Sequence, residues 1–423
     1  MPASPPSPRQ ARHTVARHAR LGQPHPLTQV ARAGALALVV LLVSTLSIGA
    51  FAAWDLNRNF GAHAVALPND DALPPAIGEY EGAFNLLLVG TDKCDPSWGG
   101  AFGARCSGPD AEGERNDVTM LVHVSDAPRR VTVISFPRDM IVPIPSCPRA
   151  DGEGNYSAMT AQPLNVTLSY GGLPCTVLTI EKFTGMPIEF AATIDWMGVI
   201  NLSNAVGGVE VCVEDAIVDT DAGLDIPAGT QELSGEQALA FLRTRHAIGD
   251  GSDLGRISNQ QQFMSSLVRK LSSTEVLTDP AALFRLAYAA TDAITPSQSL
   301  ASPTRMVQLA LTLKDIHFDD IVFVQYPTGY DKENPNKVLP KRAAGDALFA
   351  ALAEGKAIDL TGSTSAGKST VVIPGDTAAP VDPAVAPSVA PTPGDTTAPD
   401  RVQLPGDITG QNAGQRTCTV SNK

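Results

Sequence analysis

The segment from Ala33 to Trp54 contains no charged residue, and no other feature constrains the chain as strongly. Its core, residues 35–43, is continuously apolar. At a rise of 1.5 Å per residue, a helix of about 22 residues spans ~33 Å, which is enough to cross a bilayer. The sequence therefore predicts one transmembrane helix over 33–54. A cleaved signal peptide is the alternative, because the small residues over 47–53 could be cut.

The charges on either side of this segment predict its orientation. Residues 1–32 contain five arginines and no acidic residue. Basic residues before an apolar span favour the cytoplasmic side, so we expect 1–32 inside the cell and the rest of the chain outside. The formal net charge of the whole chain is −13. Such a chain is not expected to bind nucleic acid through a basic face.

The remainder of the chain predicts a spacer followed by one large domain. Residues 55–83 indicate an extracellular spacer, and residues 84–360 alternate strand-like and helix-like segments without internal repeats. This order is typical of an α/β domain in which a mixed, mostly antiparallel central sheet is flanked by helices. Strands are predicted at 84–90, 118–124, 130–136, 188–194, 209–213 and 321–326, and helices at 171–183, 196–205, 234–242, 256–271, 280–292, 304–314 and 341–355.

The composition changes after Leu360. Residues 361–423 are rich in Pro, Ala and Thr, and they contain few large apolar residues. Such a segment buries too little surface to offset the entropy of ordering. The sequence therefore predicts a disordered C-terminal tail over 361–423.

The six cysteines suit an exported domain, where disulfides can form. Their spacings match no zinc motif. Cys94 with Cys106, and Cys147 with Cys175, could each close a loop, although the sequence does not fix the connectivity. Cys212 lies in a strand-like run and is expected to be a small buried apolar residue.

Arginines near acidic residues form four short clusters in the middle of an otherwise acidic chain. The clusters are Glu114–Asp117, Phe136–Asp139, Leu242–Arg245 and Asp253–Arg256 running on to Gln260. Guanidinium groups bind phosphate oxygens through paired hydrogen bonds, and carboxylates bind hard divalent cations. The clusters therefore point to a ligand with several phosphate oxygens and a divalent cation.

Local geometry supports a common site for the later clusters. Arg256 and Gln260 are four residues apart and share one face of a predicted helix. Arg243 and Arg245 project to the same side only if the backbone is extended. We therefore expect the helix that begins near Ser234 to unwind by Arg243.

The strand ends predict a cation site. Asp92 follows one buried strand and Asp117 begins another. If these strand ends are adjacent, the two carboxylates can hold one hard cation, with a diphosphate and water completing its shell.

Taken in order, these elements resemble the LytR-CpsA-Psr family over roughly 84–272. Eight elements follow the family's order: Leu88–Asp92, Arg115–Met120, Ile134–Asp139, Asn165–Gly172, Ala205–Val209, Leu233–Leu239, Arg243–Arg245 and Asp253–Gln261. The chain departs from the family at Gln162–Leu164, where a Lys is common, and at Asn259, where an Arg is common. The stretch 93–114 is also longer than usual.

The resemblance implies a membrane-anchored enzyme that transfers a glycopolymer phosphate from a polyprenyl diphosphate to a peptidoglycan hydroxyl. It implies Mg²⁺ as cofactor, bound by Asp92 and Asp117. The implied substrate-binding residues are Arg115, Arg138, Arg243, Arg245, Arg256 and Gln260. Arg138 and Arg245, together with Asp139 next to the cluster, are the candidate catalytic residues.

Two other functions fit the same site. A phosphatase would use water as acceptor on the same lipid, and a non-catalytic module would bind the lipid-linked glycan for regulation. Each single motif also has a structural interpretation, such as a surface ion pair at Arg138. His123 and His246 are interpreted as structural, because His123 falls within a predicted strand and His246 has no partner at metal-ligand spacing.

Overall fold

The computed structural model describes residues 26–68, 74–76, 78–94, 106, 113–149, 151–273, 276, 279–373 and 401–422. The chain divides into an N-terminal unit, residues 1–55, and a second unit, residues 56–423. Helix α1 extends over Pro26–Ala62 and includes the predicted span. Within it, Pro26–Phe51 is long and apolar enough to cross a membrane, a property that signal sequences share.

The predicted helices and strands of the second unit are present, together with several short strands that the sequence did not predict. The helices are α2 (Thr167–Thr184), α3 (Trp196–Ala205), α4 (Gly235–Arg243), α5 (Asp253–Leu271), α6 (Pro280–Ala293), α7 (Pro303–Leu313) and α8 (Arg342–Ala353). The strands are β1 (Phe84–Thr91), β2 (Asn116–Val124), β3 (Val131–Phe136), β4 (Ile141–Ile144), β5 (Cys147–Pro148), β6 (Asn155–Tyr156), β7 (Met159–Pro163), β8 (Phe190–Ile194), β9 (Val209–Val213), β10 (Ile217–Asp219), β11 (Leu224–Ile226), β12 (Gly229–Leu233), β13 (Ile294–Pro296), β14 (Ile321–Gln325), β15 (Thr328–Tyr330), β16 (Val338–Pro340), β17 (Ala357–Asp359), β18 (Thr370–Val372), β19 (Arg401–Gln403), β20 (Gly410–Asn412) and β21 (Thr417–Thr419).

A seven-stranded sheet forms the centre of this unit, in the order β13-β8-β1-β2-β3-β14-β20. The pairs β1–β8 and β3–β14 are parallel, and the other four neighbouring pairs are antiparallel. The prediction of a mixed, mostly antiparallel sheet is therefore confirmed.

Helices cover both faces of this sheet. In β1, Leu87 and Val89 pack into the core that includes α2 and α8. Leu86 and Leu88 lie on the opposite face and pack against the cluster that includes α7. Because successive side chains of a strand point to opposite faces, a strand buried on both sides must be apolar throughout. The continuous apolar run of β1 therefore specifies the centre of an α-β-α arrangement.

The prediction of a disordered tail is wrong for the described part of 361–423. Strand β20 forms the edge of the central sheet, and β18 and β21 belong to a four-stranded sheet of order β12-β9-β21-β18. Residues 374–400 lie outside the described residues. Strand pairing uses backbone groups and does not require large side chains. At Gly410, a Cβ atom would overlap the Phe323 carbonyl, so the small residue permits the close approach.

All six cysteines form disulfides. Cys94–Cys106 and Cys147–Cys175 confirm the two suggested pairings. Cys212 pairs with Cys418, so its interpretation as an unpaired apolar residue is wrong. The parallel pairing of β21 with β9 places Cys418 opposite Cys212. The sequence did not predict this because Cys418 lies in the segment interpreted as disordered.

The described part of the predicted spacer 55–83 is also attached to the second unit. Leu67 and Tyr80 are buried in its apolar clusters. The amide of Val65 donates to the Pro296 carbonyl at 2.9 Å. Leu67, Tyr80 and Val65, which lie in the segment predicted as a spacer, are therefore packed within the second unit.

Candidate functional site

The site begins where β1, β2 and β3 meet at one end of the central sheet. The antiparallel register places Thr91 opposite Asn116 and Thr119 opposite Phe136. The Arg115 amide donates to Asp92 Oδ1 at 2.7 Å. The end of β1 and the start of β2 are therefore adjacent, as predicted, and the residues after β3 join them.

Arg138, which follows β3, forms ion pairs with residues of three segments: β2, the turn after β3, and α5. Its Nη1 lies 2.7 Å from Asp117 Oδ1, and its Nε lies 3.3 Å from Asp253 and 3.5 Å from Asp139. Burial alone would lower the pKa of Arg138, but Asp253 and Asp117 outweigh burial and raise it above its ordinary value. Arg138 is therefore a fixed, charged group at the junction of β2, β3 and α5.

Arg243 lies at the end of α4, and its guanidinium stacks over the Trp196 ring with 4.1 Å to the ring centroid. The next residue, Thr244, is extended with φ −58° and ψ 137°. The prediction that the helix ends by Arg243 is confirmed. Burial lowers the pKa of Arg243, and Asp117 opposes this effect while Arg256 adds to it.

Asp219 fixes the extended turn after α4, although sequence analysis did not identify it. Its Oδ2 accepts a hydrogen bond from Thr244 Oγ1 at 2.5 Å and from the Arg245 amide at 3.3 Å. Burial would raise the pKa of Asp219, but the hydrogen bonds from Thr244 and from backbone amides outweigh it and lower the pKa. In the sequence, Asp219 shortly before Gly223 indicates only a turn. No sequence pattern therefore predicted its hydrogen bond with Thr244.

Arg245 and His246 lie side by side after this turn. Arg245 Nη2 is 2.8 Å from His246 Nε2, so the arginine donates and the imidazole nitrogen accepts. The interpretation of His246 as structural is incomplete, because the residue lines the same cavity as the arginines.

Arg256 and Gln260 follow on α5. Arg256 is 6% exposed, its Nη2 lies 2.7 Å from Asp253 Oδ1, and it also donates to the Asp117 carbonyl at 3.0 Å. Gln260 donates instead to the Leu242 carbonyl at 3.0 Å. Gln260 therefore holds the end of α4 and lines an apolar cavity, whereas Arg256 lines that cavity and the polar one.

A polar cavity of about 530 Å³ gathers the predicted arginines. It is lined by Asp92, Arg115, Asp117, Arg138, Asp139, Asn165, Trp196, Asp219, Asp221, Ala222, Arg243, Arg245, His246, Arg256 and Lys337. Among the residues that the structure describes, Arg115, Arg243 and Arg245 form no ion pair. These three positive groups line the cavity outside the ion pairs of the described residues, which suits a multiply charged anion.

An apolar cavity of about 140 Å³ adjoins the polar one. Its walls include Leu88, Val118, Val199, Leu239 and Met264. The two cavities share four residues, namely Asp117, Trp196, Arg243 and Arg256. A ligand with an anionic head and an apolar tail fits this pair.

The carboxylates of the polar cavity fit a cation whose coordination shell is completed by substrate phosphates and water. Asp92 and Asp117 both line the polar cavity. Within the described ranges, no group of three or more His, Cys, Asp or Glu side chains is placed to hold a metal. Mg²⁺ is commonly held by one or two carboxylates plus substrate phosphates and water, so two aspartates match that mode.

His123 lies apart from the site, as predicted. It is buried, and its Nδ1 bonds to Asn85 Oδ1 at 2.9 Å. Burial lowers its pKa to about 4, against a weaker opposing hydrogen bond with the Leu352 backbone.

Known proteins resemble this chain over most of the second unit. The LytR_cpsA_psr family model matches residues 58–349. The cell wall biosynthesis protein LcpA of Corynebacterium glutamicum is 29% identical over 265 residues, which cover 58% of this chain and 50% of LcpA. The polyisoprenyl-teichoic acid–peptidoglycan teichoic acid transferase TagU of Enterococcus faecalis is 27% identical over 236 residues, which cover 56% of this chain and 69% of TagU.

A solved structure has the same fold. The crystal structure of protein gbs0355 from Streptococcus agalactiae aligns with a TM-score of 0.50 at 19% identity, covering 64% of this chain and 87% of that one. The family model matches well over half of the chain, including every arginine of the polar cavity. The chain belongs to the LytR_cpsA_psr family.

Proposed function

We propose that this protein transfers a glycopolymer phosphate from a polyprenyl diphosphate carrier to a hydroxyl of peptidoglycan. One observation carries the proposal: a polar cavity, lined by three arginines that form no ion pair with the described residues, adjoins an apolar cavity, and the two cavities share Arg243 and Arg256. The name of TagU describes a transfer of this kind, and the LytR_cpsA_psr match includes this site.

The donor is proposed to bind across both cavities. Its diphosphate lies among Arg115, Arg243 and Arg245, and the isoprene units next to the diphosphate enter the apolar cavity. Stacking of Arg243 on Trp196 orients the guanidinium plane while leaving its N–H groups available to phosphate. Mg²⁺, held by Asp92 and Asp117 when bound, would supply charge neutralisation to the diphosphate.

The proposed reaction is a displacement at phosphorus. The acceptor hydroxyl oxygen bonds to the sugar-side phosphorus, and the bond from that phosphorus to the bridging oxygen breaks. The bonding electrons leave with the polyprenyl phosphate, and the hydroxyl proton passes to a base. Arg138 and Arg245 stabilise the charge on the transferring group and the leaving group.

Asp139 is the proposed residue that orients the hydroxyl. It lines the polar cavity, and its Oδ1 is held 2.7 Å from Lys337 Nζ. This ion pair and Arg138 fix its position, so the carboxylate can accept a hydrogen bond from the incoming hydroxyl without reorganising.

The proposed location is a single-pass membrane protein with its second unit outside the cell. Three features support it: the apolar helix within α1, the five arginines before Ala33, and the three disulfides, which form in oxidising compartments.

The test uses the full chain in detergent with a polyprenyl diphosphate glycan and peptidoglycan fragments. We expect a phosphodiester-linked product by mass spectrometry, and we expect Arg245→Ala to lower kcat by about 10²–10³, the size seen when one charge-stabilising donor is removed. Arg149→Ala is the control, because Arg149 is exposed and lies outside both cavities. Undiminished turnover in Arg245→Ala would contradict the proposal.

The same assay separates the alternatives. Phosphate release that is unchanged by acceptor indicates a phosphatase. Donor recovered intact after incubation with Mg²⁺ and acceptor indicates a binding module.

A further inference from the structure

A third cavity adjoins the polar cavity. Its volume is about 400 Å³, within the range of small-ligand sites. It shares Asp139, Arg245, His246 and Lys337 with the polar cavity and shares no residue with the apolar cavity. The polar cavity therefore lies between an apolar cavity and this outer cavity.

A hairpin forms one wall of the outer cavity. Strands β15 and β16 pair antiparallel, and their connecting loop is closed by the Lys337 amide, which donates to the Asn334 carbonyl at 2.8 Å. The Asp331 amide donates in turn to the Lys337 carbonyl at 2.9 Å. These two backbone hydrogen bonds define the shape of the loop.

The hairpin is also attached directly to the reacting end of the site. Lys337 Nζ lies 2.7 Å from Asp139 Oδ1, and the Val338 amide donates to the Asp139 carbonyl at 3.3 Å. A molecule in the outer cavity is thereby placed next to Asp139.

The chemistry of the walls favours a neutral, hydroxyl-rich ligand. The negative charges of Asp139 and Asp253 balance the positive charges of Arg245 and Lys337. The cavity therefore offers little net electrostatic attraction to a polyanion. The Tyr330 side chain lines the cavity although the residue is 54% exposed, which leaves an aromatic face open to a partner. Aromatic faces pack against apolar surfaces while the phenol oxygen remains available for hydrogen bonding.

The outer cavity is also lined by an exposed side-chain amide, that of Asn336. Asn336 lines the cavity and offers both a donor and an acceptor. A pyranose ring presents a C–H face and a rim of hydroxyl groups, which match the ring of Tyr330 and the amide of Asn336.

We propose that the outer cavity is the acceptor subsite and binds an N-acetylhexosamine unit of the glycan strand, with Tyr330 stacking on the sugar and Asn336 bonding its polar rim. The proposal rests on the proposed transfer and assigns its second substrate a place. The lipid, the diphosphate and the acceptor then lie in that order along three adjoining cavities.

The experiment titrates an uncharged N-acetylhexosamine oligosaccharide into the full chain in detergent and measures binding directly by NMR or calorimetry, without turnover. We expect saturable binding in the millimolar range or tighter, weakened about tenfold by Tyr330→Ala and by Asn336→Ala. Tyr288→Ala is the control, because Tyr288 is similarly exposed on α6 and lines none of the three cavities. Donor binding should be unchanged in all three variants.

The outcomes separate the two proposals. If the parent protein does not bind the oligosaccharide, or if both Tyr330→Ala and Asn336→Ala bind it as the parent does, the subsite is wrong. A loss of donor binding equal to the loss of acceptor binding would also overturn it. If the oligosaccharide binds through Tyr330 but no transfer occurs with donor present, the subsite stands and the transfer is wrong.

Discussion

Arg138 Nη1 and Asp117 Oδ1 lie 2.7 Å apart. Asp117 is near the start of β2, and Arg138 follows the end of β3. The antiparallel register places the start of β2 beside the end of β3, and this ion pair links the two ends. Because Asp117 is also a proposed metal ligand, Arg138 both stabilises the fold at this edge and sets where that carboxylate points. Removal of either partner therefore affects stability and chemistry together.

Arg138→Ala should reduce transfer strongly and stability moderately. The change leaves Asp117 and Asp253 without this cation, and we expect kcat to fall by about 10²–10³ and the free energy of unfolding by about 1–3 kcal/mol. Transfer kinetics and thermal unfolding of the full chain measure both. Arg138→Lys should recover much of the stability but not the rate, since an ammonium does not reproduce the guanidinium geometry. A variant with normal turnover would remove Arg138 from the mechanism.

Trp196→Leu should weaken donor binding more than it slows the chemical step. Without the ring, the Arg243 guanidinium loses a cation–π contact of about 0.5–2 kcal/mol and samples more orientations. We expect the donor KM to rise severalfold to tenfold with a smaller change in kcat. Trp196→Phe keeps an aromatic face, so its donor KM should lie between those of the parent protein and Trp196→Leu. Equal KM values in all three proteins would show that stacking does not orient Arg243.

The strand ends and the α4–α5 motifs could be predicted because their geometry follows from local sequence. The apolar run of β1 places Asp92 at a strand end, and residues two apart face one side only on extended backbone, which gave the correct end of α4 near Arg243. The gathering of the arginines then followed from the family resemblance.

What could not be predicted depends on contacts between distant segments. Asp219 accepts a hydrogen bond from Thr244, which lies 25 residues further along the chain. Gln260 donates to the end of α4 and lines the apolar cavity but not the polar one. The C-terminal strand β21 has no large apolar side chain, so composition alone suggested disorder. Its order comes from backbone pairing and from the Cys212–Cys418 bond.

Loss of the Cys212–Cys418 disulfide should destabilise the site loop as well as the fold. The Asn422 amide donates to Ala247, and the Gly249 amide donates to Val420, so the C-terminus holds the loop that follows Arg245. We expect the Cys212→Ser/Cys418→Ser variant to lose about 2–5 kcal/mol of unfolding free energy and to bind donor more weakly.

Removal of the Cys94–Cys106 disulfide is the comparison. The Cys94–Cys106 disulfide joins residues 12 apart in sequence, whereas Cys212–Cys418 joins residues 206 apart. Because the Cys94–Cys106 disulfide closes the shorter loop, its loss should lower the unfolding free energy less. Chemical denaturation of the full chain in detergent measures both variants. Equal stability of the Cys212→Ser/Cys418→Ser variant and the parent would show that β21 is held without the disulfide.

Asp92→Asn should raise the Mg²⁺ requirement of the proposed reaction. If Asp92 and Asp117 hold the cation, loss of one charged ligand should raise the Mg²⁺ concentration for half-maximal transfer by about tenfold, and chelation should stop transfer in the parent protein. Asp151→Asn is the control, since Asp151 is exposed and lines none of the cavities. Transfer that is insensitive to chelation would contradict a metal role.

Stability should fall as the pH drops from about 6.5 to about 4, and His123 should account for part of the fall. Burial lowers the pKa of His123 from its ordinary 6.5 to about 4 in the folded protein. Between these values the unfolded chain binds the proton and the folded chain does not, so the unfolded state is favoured as pH decreases. Full stability from this group is therefore present above pH 6.5, and the loss near pH 4 is at most about 3 kcal/mol.

The variant His123→Gln tests this origin. Glutamine is polar and can donate hydrogen bonds but does not titrate, so the unfolding free energy of His123→Gln should depend less on pH across that window. His317→Gln, at an exposed position, is the matched control. Denaturant unfolding of the full chain at several pH values between 4 and 7 gives the slopes. Identical slopes for His123→Gln and the parent protein would show that His123 does not cause the acid sensitivity.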